Sequence, residues 1–324
     1  MPPKQPFLRS SLPAKIFLFV LAIVYLVYLG ARFVYPSLLI PSTSIIDHQL
    51  NANSSTALQY WTMSSMHNAV DATEQIGSNT DLTQASSDTS AGKAAQQQGQ
   101  PPTNGEPSYH LSTVGKVFMT NDSGQNMVCS GTAVVSANQS VVDTAGHCLY
   151  WNGAWVHNVI FCPLYANGNT PYGCWAARDL EVPSDWMDAR PNDFHHDLGM
   201  AIVAPNSEGT LTDVVGGAGW AYNQPIEQSY SAYGYPAAHP FDGQTRQACE
   251  GGTGKSWQHG GGTVVSIPCN MTGGSSGGPW FVQINGNWYL DGHNDFISRM
   301  QPGHMFSPYY DDTWYALYDK AQHA

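Results

Sequence analysis

The chain has 324 residues, 42% of them hydrophobic, enough to bury a sizeable core in one large or two small domains. Twelve Lys and Arg stand against 24 Asp and Glu, and the formal net charge of −12 excludes the basic footprint that a nucleic-acid partner needs. Only 11% of residues are charged, whereas 32 Gly, 17 Tyr and 10 Trp favour short strands and tight turns over long amphipathic helices.

At the N-terminus, Lys4, Arg9 and Lys15 precede an apolar run from Ile16 to Ala31, which Arg32 ends. The run is apolar on every face, the pattern of an export segment rather than of a core helix. It is long for a signal-peptide core and slightly short of the about 20 residues that span a bilayer, so cleavage and anchoring are both open. Positive charge ahead of the run favours a cytoplasmic N-terminus and an extracytoplasmic remainder. Residues 1–46 are expected to be a signal peptide or membrane anchor, the only part in contact with a membrane.

From Asp47 the composition shifts to Ser, Thr, Gln, Asn and Ala and ends in AAQQQGQPPTNGEP, with few aromatics and no sustained periodicity. Residues 47–110 therefore read as a low-complexity linker or propeptide, although Ala57 to Met66 has some helical spacing. The compact domain is expected over residues 111–324. It holds six cysteines, Cys129, Cys148, Cys162, Cys174, Cys249 and Cys269, and an even number in an exported chain suggests disulfides. The neighbour pairs are favoured: Cys129 with Cys148, Cys162 with Cys174, Cys249 with Cys269. Without a CxxC or other close cysteine pair, a zinc site is not expected.

Short strands broken by turn signals fill the domain. MVCSGTAVV, SANQ and SVVDTAGHC give strand, turn and strand, and GMAIVAP, YSAYGYP and GGTVVSIPC repeat the pattern. In PWFVQINGNWYLDGH, Asn285 and Gly286 separate two apolar runs, a strong hairpin signal. Helical patterning is scarce before Tyr309, and Tyr309 to Ala321 is the one candidate for a C-terminal helix. An antiparallel all-β domain of barrel or sandwich type follows.

Three segments carry chemistry. Gly273-Gly274-Ser275-Ser276-Gly277-Gly278-Pro279 sets a serine in a glycine-rich turn that a substrate backbone can approach, and the N–H groups of Gly274 and Ser276 can form an oxyanion hole there. Thr144-Ala145-Gly146-His147-Cys148 puts a histidine at a strand end. Asp197 opens Asp197-Leu198-Gly199-Met200-Ala201-Ile202-Val203, an acid just before a strand that should be buried and so needs a partner. Hydrolysis by a serine requires a hydroxyl, a histidine base, an orienting acid and oxyanion donors, and all four are present.

TAGHC, DLGMAIV and GGSSGGP, in this order and spacing, resemble the signature segments of the trypsin-like (chymotrypsin-fold) serine proteases, closest in look to bacterial glutamyl-endopeptidase-like members. The resemblance spans Val114 to Phe296. It implies two Greek-key β-barrels with the active site between them, His147 as general base, Asp197 as its orienting acid, Ser276 as nucleophile, and Gly274 with Ser276 as oxyanion donors. It also implies a bridge across the histidine loop by Cys129 and Cys148, a protein or peptide substrate, and a reaction that needs neither cofactor nor metal.

The departures are informative. Animal members carry an aspartate before the nucleophile that pairs with a newly cut N-terminus; Ser275 stands there and cannot make that salt bridge. Asn270, six residues before the nucleophile, would lie at the base of the primary pocket, where it supplies no charge to select Lys or Arg. His293 in Leu290-Asp291-Gly292-His293-Asn294 is one position early for the pocket-wall histidine of glutamyl endopeptidases, and a one-residue slip on a strand turns Asn294, not His293, toward the pocket. Asp295 replaces the small polar residue usual near the triad acid. His195 and His196 read as loop residues rather than metal ligands.

Two other readings fit less well. A non-catalytic binding protein on the same fold conflicts with the intact triad, although fold alone does not guarantee function. Gly274 to Gly278 satisfies the GxSxG of α/β-hydrolase esterases, but no helical pattern follows Ser276 and the order His, Asp, Ser is wrong for that fold.

Overall fold

The computed structural model describes residues 43–50, 54–72, 83–84, 109–188 and 193–324. The apolar run Ile16 to Ala31 and most of the Gln- and Pro-rich stretch lie outside them, and among the described residues no helix is long and apolar enough to cross a membrane.

Strands Val114–Thr120, Asn126–Val134 and Val141–Thr144 form an antiparallel meander. Gly199–Val203 pairs with the last of them and Trp175–Pro183 with Gly199–Val203. His157–Pro163 then bridges Trp175–Pro183 back to Val114–Thr120, closing six strands into a barrel. Closure leaves the ladder with few open edges. Every residue of Val114–Thr120 is buried, because the barrel is covered on the outside as well. Val117 and Met119 join one cluster with Cys129, Val142, Phe161 and Ala201, while Val114 and Phe118 join another with Trp61, Trp314 and Leu317. The strand period of two is therefore kept, but both of its faces are apolar.

Part of that outer cover comes from residues that composition assigns to the linker and to the end of the N-terminal segment before it. Ile45–Gln49 adds an antiparallel strand to Trp175–Pro183, with Asp47 opposite Glu181. The helices Ser54–Tyr60 and Met63–His67 bury Ala57, Trp61 and Met66 against the barrel. Lys320 of the C-terminal helix ties the edge strand down through the Ile45 carbonyl, at 3.0 Å, and the Asp47 carboxylate, at 2.6 Å.

The second half contains a five-stranded sheet, ordered Gly219–Trp220, Asn287–His293, Pro279–Ile284, Ser229–Gly234, Gln247–Thr253, and a sheet of His304–Pro308, Gly262–Pro268, Lys255–His259 and Thr83–Gln84. The architecture is the expected all-β, chymotrypsin-like double barrel with a short C-terminal helix. The Asn285-Gly286 hairpin forms with φ of 53° and 85°, both in the left-handed region that Asn and Gly tolerate best. The helix covers Asp312–Ala321, three residues later than the pattern suggests, because the Asp311 side chain caps it through the Thr313 N–H at 2.8 Å. All three neighbour disulfides are present: Cys129–Cys148, Cys162–Cys174 and Cys249–Cys269.

Glu181 is fully buried on the barrel wall, and neither carboxyl oxygen has a hydrogen-bond partner among the described residues. Burial pushes its carboxyl up to about 7, and Asp179 and Asp47 add to the effect of burial while Lys320 opposes it. The native state thus holds a proton between pH 4.5 and about 7 that the unfolded chain has released, so this group's contribution falls as pH rises through that window. Glu181→Gln should therefore raise the melting temperature at pH 8 and change it little at pH 4.5, which thermal unfolding at the two pH values would check.

Candidate active site

His147 lies on a single 3₁₀ turn, Gly146–Cys148, that follows Val141–Thr144, with its loop tethered by Cys129–Cys148. Gly146 is required by packing: a Cβ there would meet Asp197 Oδ1 and the Leu198 carbonyl at 2.9 Å. Asp197 precedes the wholly buried strand Gly199–Val203 and is itself fully buried. Its two oxygens divide their work. Oδ1 accepts the His147 backbone N–H at 2.6 Å, and Oδ2 meets His147 Nδ1 at 2.7 Å, which leaves Nε2 as the ring nitrogen the acid does not engage. Burial opposes ionisation of Asp197, but the His147 charge and hydrogen bonds outweigh it and hold the carboxyl below its usual range.

Ser276 sits in the glycine turn with its Oγ donating to the Asp295 carbonyl at 3.3 Å; His147 Nε2 is buried with no hydrogen-bond partner among the described residues. Gly277, at φ +78°, faces Thr144 Oγ1 and the Ser130 carbonyl so closely that no Cβ fits. The turn is fixed by its carbonyls. Gly273 O accepts from Ala237 and Ala238 N–H, at 2.6 and 3.2 Å. Ser275 O accepts from Gly278 N–H at 2.9 Å and from Asn294 Nδ2 at 3.2 Å. The carbonyls of Gly273 and Ser275 are thus held by donors of the surrounding chain, which fixes the peptide planes on either side of the serine.

Asn294 is fully buried and its amide is committed: Nδ2 donates to Tyr233 O at 2.7 Å and to Ser275 O, while Oδ1 accepts from Trp280 Nε1 at 2.8 Å. It braces the serine turn from beneath. Asn270 is exposed beside the Cys249–Cys269 bridge. His293 faces inward, with Nδ1 against the Tyr310 hydroxyl at 2.9 Å and Nε2–H donating to the Asp197 carbonyl at 3.1 Å. Its side chain is thereby committed to the backbone of the acid.

Behind His293 lies a network that the motifs do not reveal. Asp143 accepts from Tyr310 OH at 2.7 Å and from Trp314 Nε1 at 2.8 Å, so one buried carboxylate ties the C-terminal helix to the barrel beneath the acid. Asp143→Ala would leave the Trp314 Nε1–H buried and unpaired and the Tyr310 hydroxyl with His293 Nδ1 alone, and should cost about 2–4 kcal/mol in a urea titration. Its signal in the sequence was an acid, Asp143, inside the apolar run that leads to TAGHC.

Asp193, His195 and His196 bring one ligand-type atom each within 4.8 Å of one another. The Asp193 carboxylate pairs with both rings, with His196 Nδ1 at 3.4 Å, and these bonds hold it below its usual range against the effect of burial. Cys129 and Cys148, which lie beside His147, are consumed by their disulfide.

The chain is similar to two solved structures. With the protease Anisep from Arthrobacter nicotinovorans it shares 36% identity at a TM-score of 0.60, over 70% of this chain and 99% of that one. With the thermostable serine protease AL20 from an extremophilic microorganism it shares 41% identity at a TM-score of 0.60, over 66% of this chain and 98% of that one. No protein-family model and no curated protein matches the chain.

Proposed function

Since the chain belongs to the serine proteases of chymotrypsin-like barrel fold, we propose that it is an exported endopeptidase that cleaves peptide bonds through an acyl-enzyme on Ser276. The observation that carries this reading is the buried His147–Asp197 pair, at 2.7 Å, with Asp295 in contact both with His147 and with Ser276 Oγ. The reaction requires Ser276 Oγ to leave the Asp295 carbonyl for Nε2, and hydrogen bonds of this kind often form or tighten only with substrate bound. His147 then accepts the hydroxyl proton as Oγ attacks the substrate carbonyl carbon. The N–H groups of Gly274 and Ser276 receive the oxyanion. Collapse breaks the C–N bond, and the proton on His147 passes to the leaving amine. Water, deprotonated by the same nitrogen, hydrolyses the ester. Asp197 stays ionised throughout and fixes the ring's tautomer.

Residues 111–324 carry this machinery, and the apolar run Ile16 to Ala31 directs export to a location that suits three disulfides. The inward-facing His293 gives no support to glutamate selection by a pocket histidine. The test is labelling of the purified full chain with a fluorophosphonate probe. Wild type should label and Ser276→Ala should not; absence of label on folded wild-type protein would overturn the reading and leave a binding protein on a protease fold.

A further inference from the structure

Asp295 touches every part of the candidate site. Its backbone carbonyl accepts from Ser276 Oγ at 3.3 Å, and its carboxyl Oδ1 lies 3.6 Å from His147 Nδ1. His147, Asp197 and Asp295 place one atom each within 4.8 Å of one another, all three buried. The residue is 2% exposed and its side chain not at all, on a loop anchored by the Asp295 N–H to the Phe306 carbonyl. Neither of its carboxyl oxygens has a conventional donor among the described residues. The titratable groups facing it are the imidazole of His147 and the carboxylate of Asp197, whose two oxygens already serve His147. Two carboxyl groups in a dry site can hold each other only when one of them carries a proton.

We propose that Asp295 is a positioning residue of the proteolytic site: a neutral carboxylic acid whose O–H donates to Asp197, holding that carboxylate against His147 without adding a second negative charge. The assignment rests on the proposed roles of His147 and Asp197. Burial first, and the charge of Asp197 second, raise the Asp295 carboxyl well above its ordinary range, and the hydrogen bond it gives helps to lower that of Asp197. The proton stays on Asp295 through the cycle, since the serine proton moves on the other side of the ring, at Nε2. An ionised Asp295 would instead favour the imidazolium and slow its return to a base.

The experiment pairs a spectroscopic readout with a kinetic one on the full chain. The infrared difference between wild type and Asp295→Asn at neutral pH, with aspartate ¹³C-labelled, should show a protonated-carboxyl band that shifts in heavy water. The subtraction removes Asp291, another buried carboxyl held well above its range. In kinetics, Asp295→Asn keeps a neutral donor and should leave the acidic limb of the kcat/KM profile in place. Asp295→Ala should lower kcat/KM on the order of 10–100-fold, and Asp295→Ser, which restores a small donor, should recover most of it. A missing band, or an acidic limb that falls by about one pH unit in Asp295→Asn, would show an ionised wild-type carboxylate and overturn the proposal. A band from wild-type protein that takes up no fluorophosphonate would keep Asp295 as a neutral donor to Asp197 but overturn the proteolytic reading and with it the positioning role.

Discussion

Ser276→Ala should lower kcat by about a million-fold while leaving KM and the melting temperature nearly unchanged. Removing Oγ deletes the atom that forms the acyl bond, whereas the carbonyl bonds of Gly273 and Ser275 that shape the turn belong to the backbone and survive. In triads that act as a unit, loss of the nucleophile costs about as much as loss of all three members, so adding His147→Ala to Ser276→Ala should cost almost nothing further. Steady-state kinetics on a peptide ester, with a burst experiment for wild type, would measure both. If the single variant retained more than a small fraction of wild-type turnover, the nucleophile would be another group.

The second large effect is expected at Asp197. Asp197→Asn keeps the volume but replaces one acceptor oxygen with a donor, so either the His147 N–H or Nδ1 loses its partner. The ring then has no reason to keep Nε2 as its basic atom. A fall in kcat on the order of 10⁴-fold follows, with the change in tautomer visible in imidazole ¹⁵N chemical shifts. His293 continues to hold the Asp197 backbone carbonyl, so the backbone position is expected to persist and the loss to be chemical rather than conformational. A loss of only a few-fold would mean that Asp295, 3.6 Å from the same nitrogen, takes over as the acceptor. Asp197→Asn combined with Asp295→Asn would expose that substitution of roles.

Much of the site is legible because its chemistry is local in sequence. Glycines at 274 and 277 are demanded by positive φ and by close backbone neighbours, and a histidine at a strand end is dictated by one short segment. The all-β class is legible in the alternation of short apolar runs and turns, and the hairpin at Asn285-Gly286 in two residues, whereas the double barrel is what the resemblance of the three motifs to trypsin-like proteases implies. The packing of residues 45–67 is less visible, since a polar, Ser-rich composition conceals three buried contacts, Ala57, Trp61 and Met66, which gain their value only from the barrel face beneath them. A strand such as Ile45–Gln49 is likewise defined by the edge it joins rather than by its own residues.

By itself, then, the sequence determined which residue types are available for acyl transfer, their order along the chain, and the all-β class, because periodicity and turn chemistry are properties of neighbouring residues. The tertiary structure alone decided that Asp197 spends both oxygens on His147, that Asn294 braces the serine turn, and that Asp143 anchors the C-terminal helix beneath the acid. It also decided that Asp295, an odd residue in the sequence, faces Asp197 in a dry pocket. Hydrogen bonds and proton sharing between residues about 100 positions apart depend on distance and solvent exclusion, which no local pattern encodes.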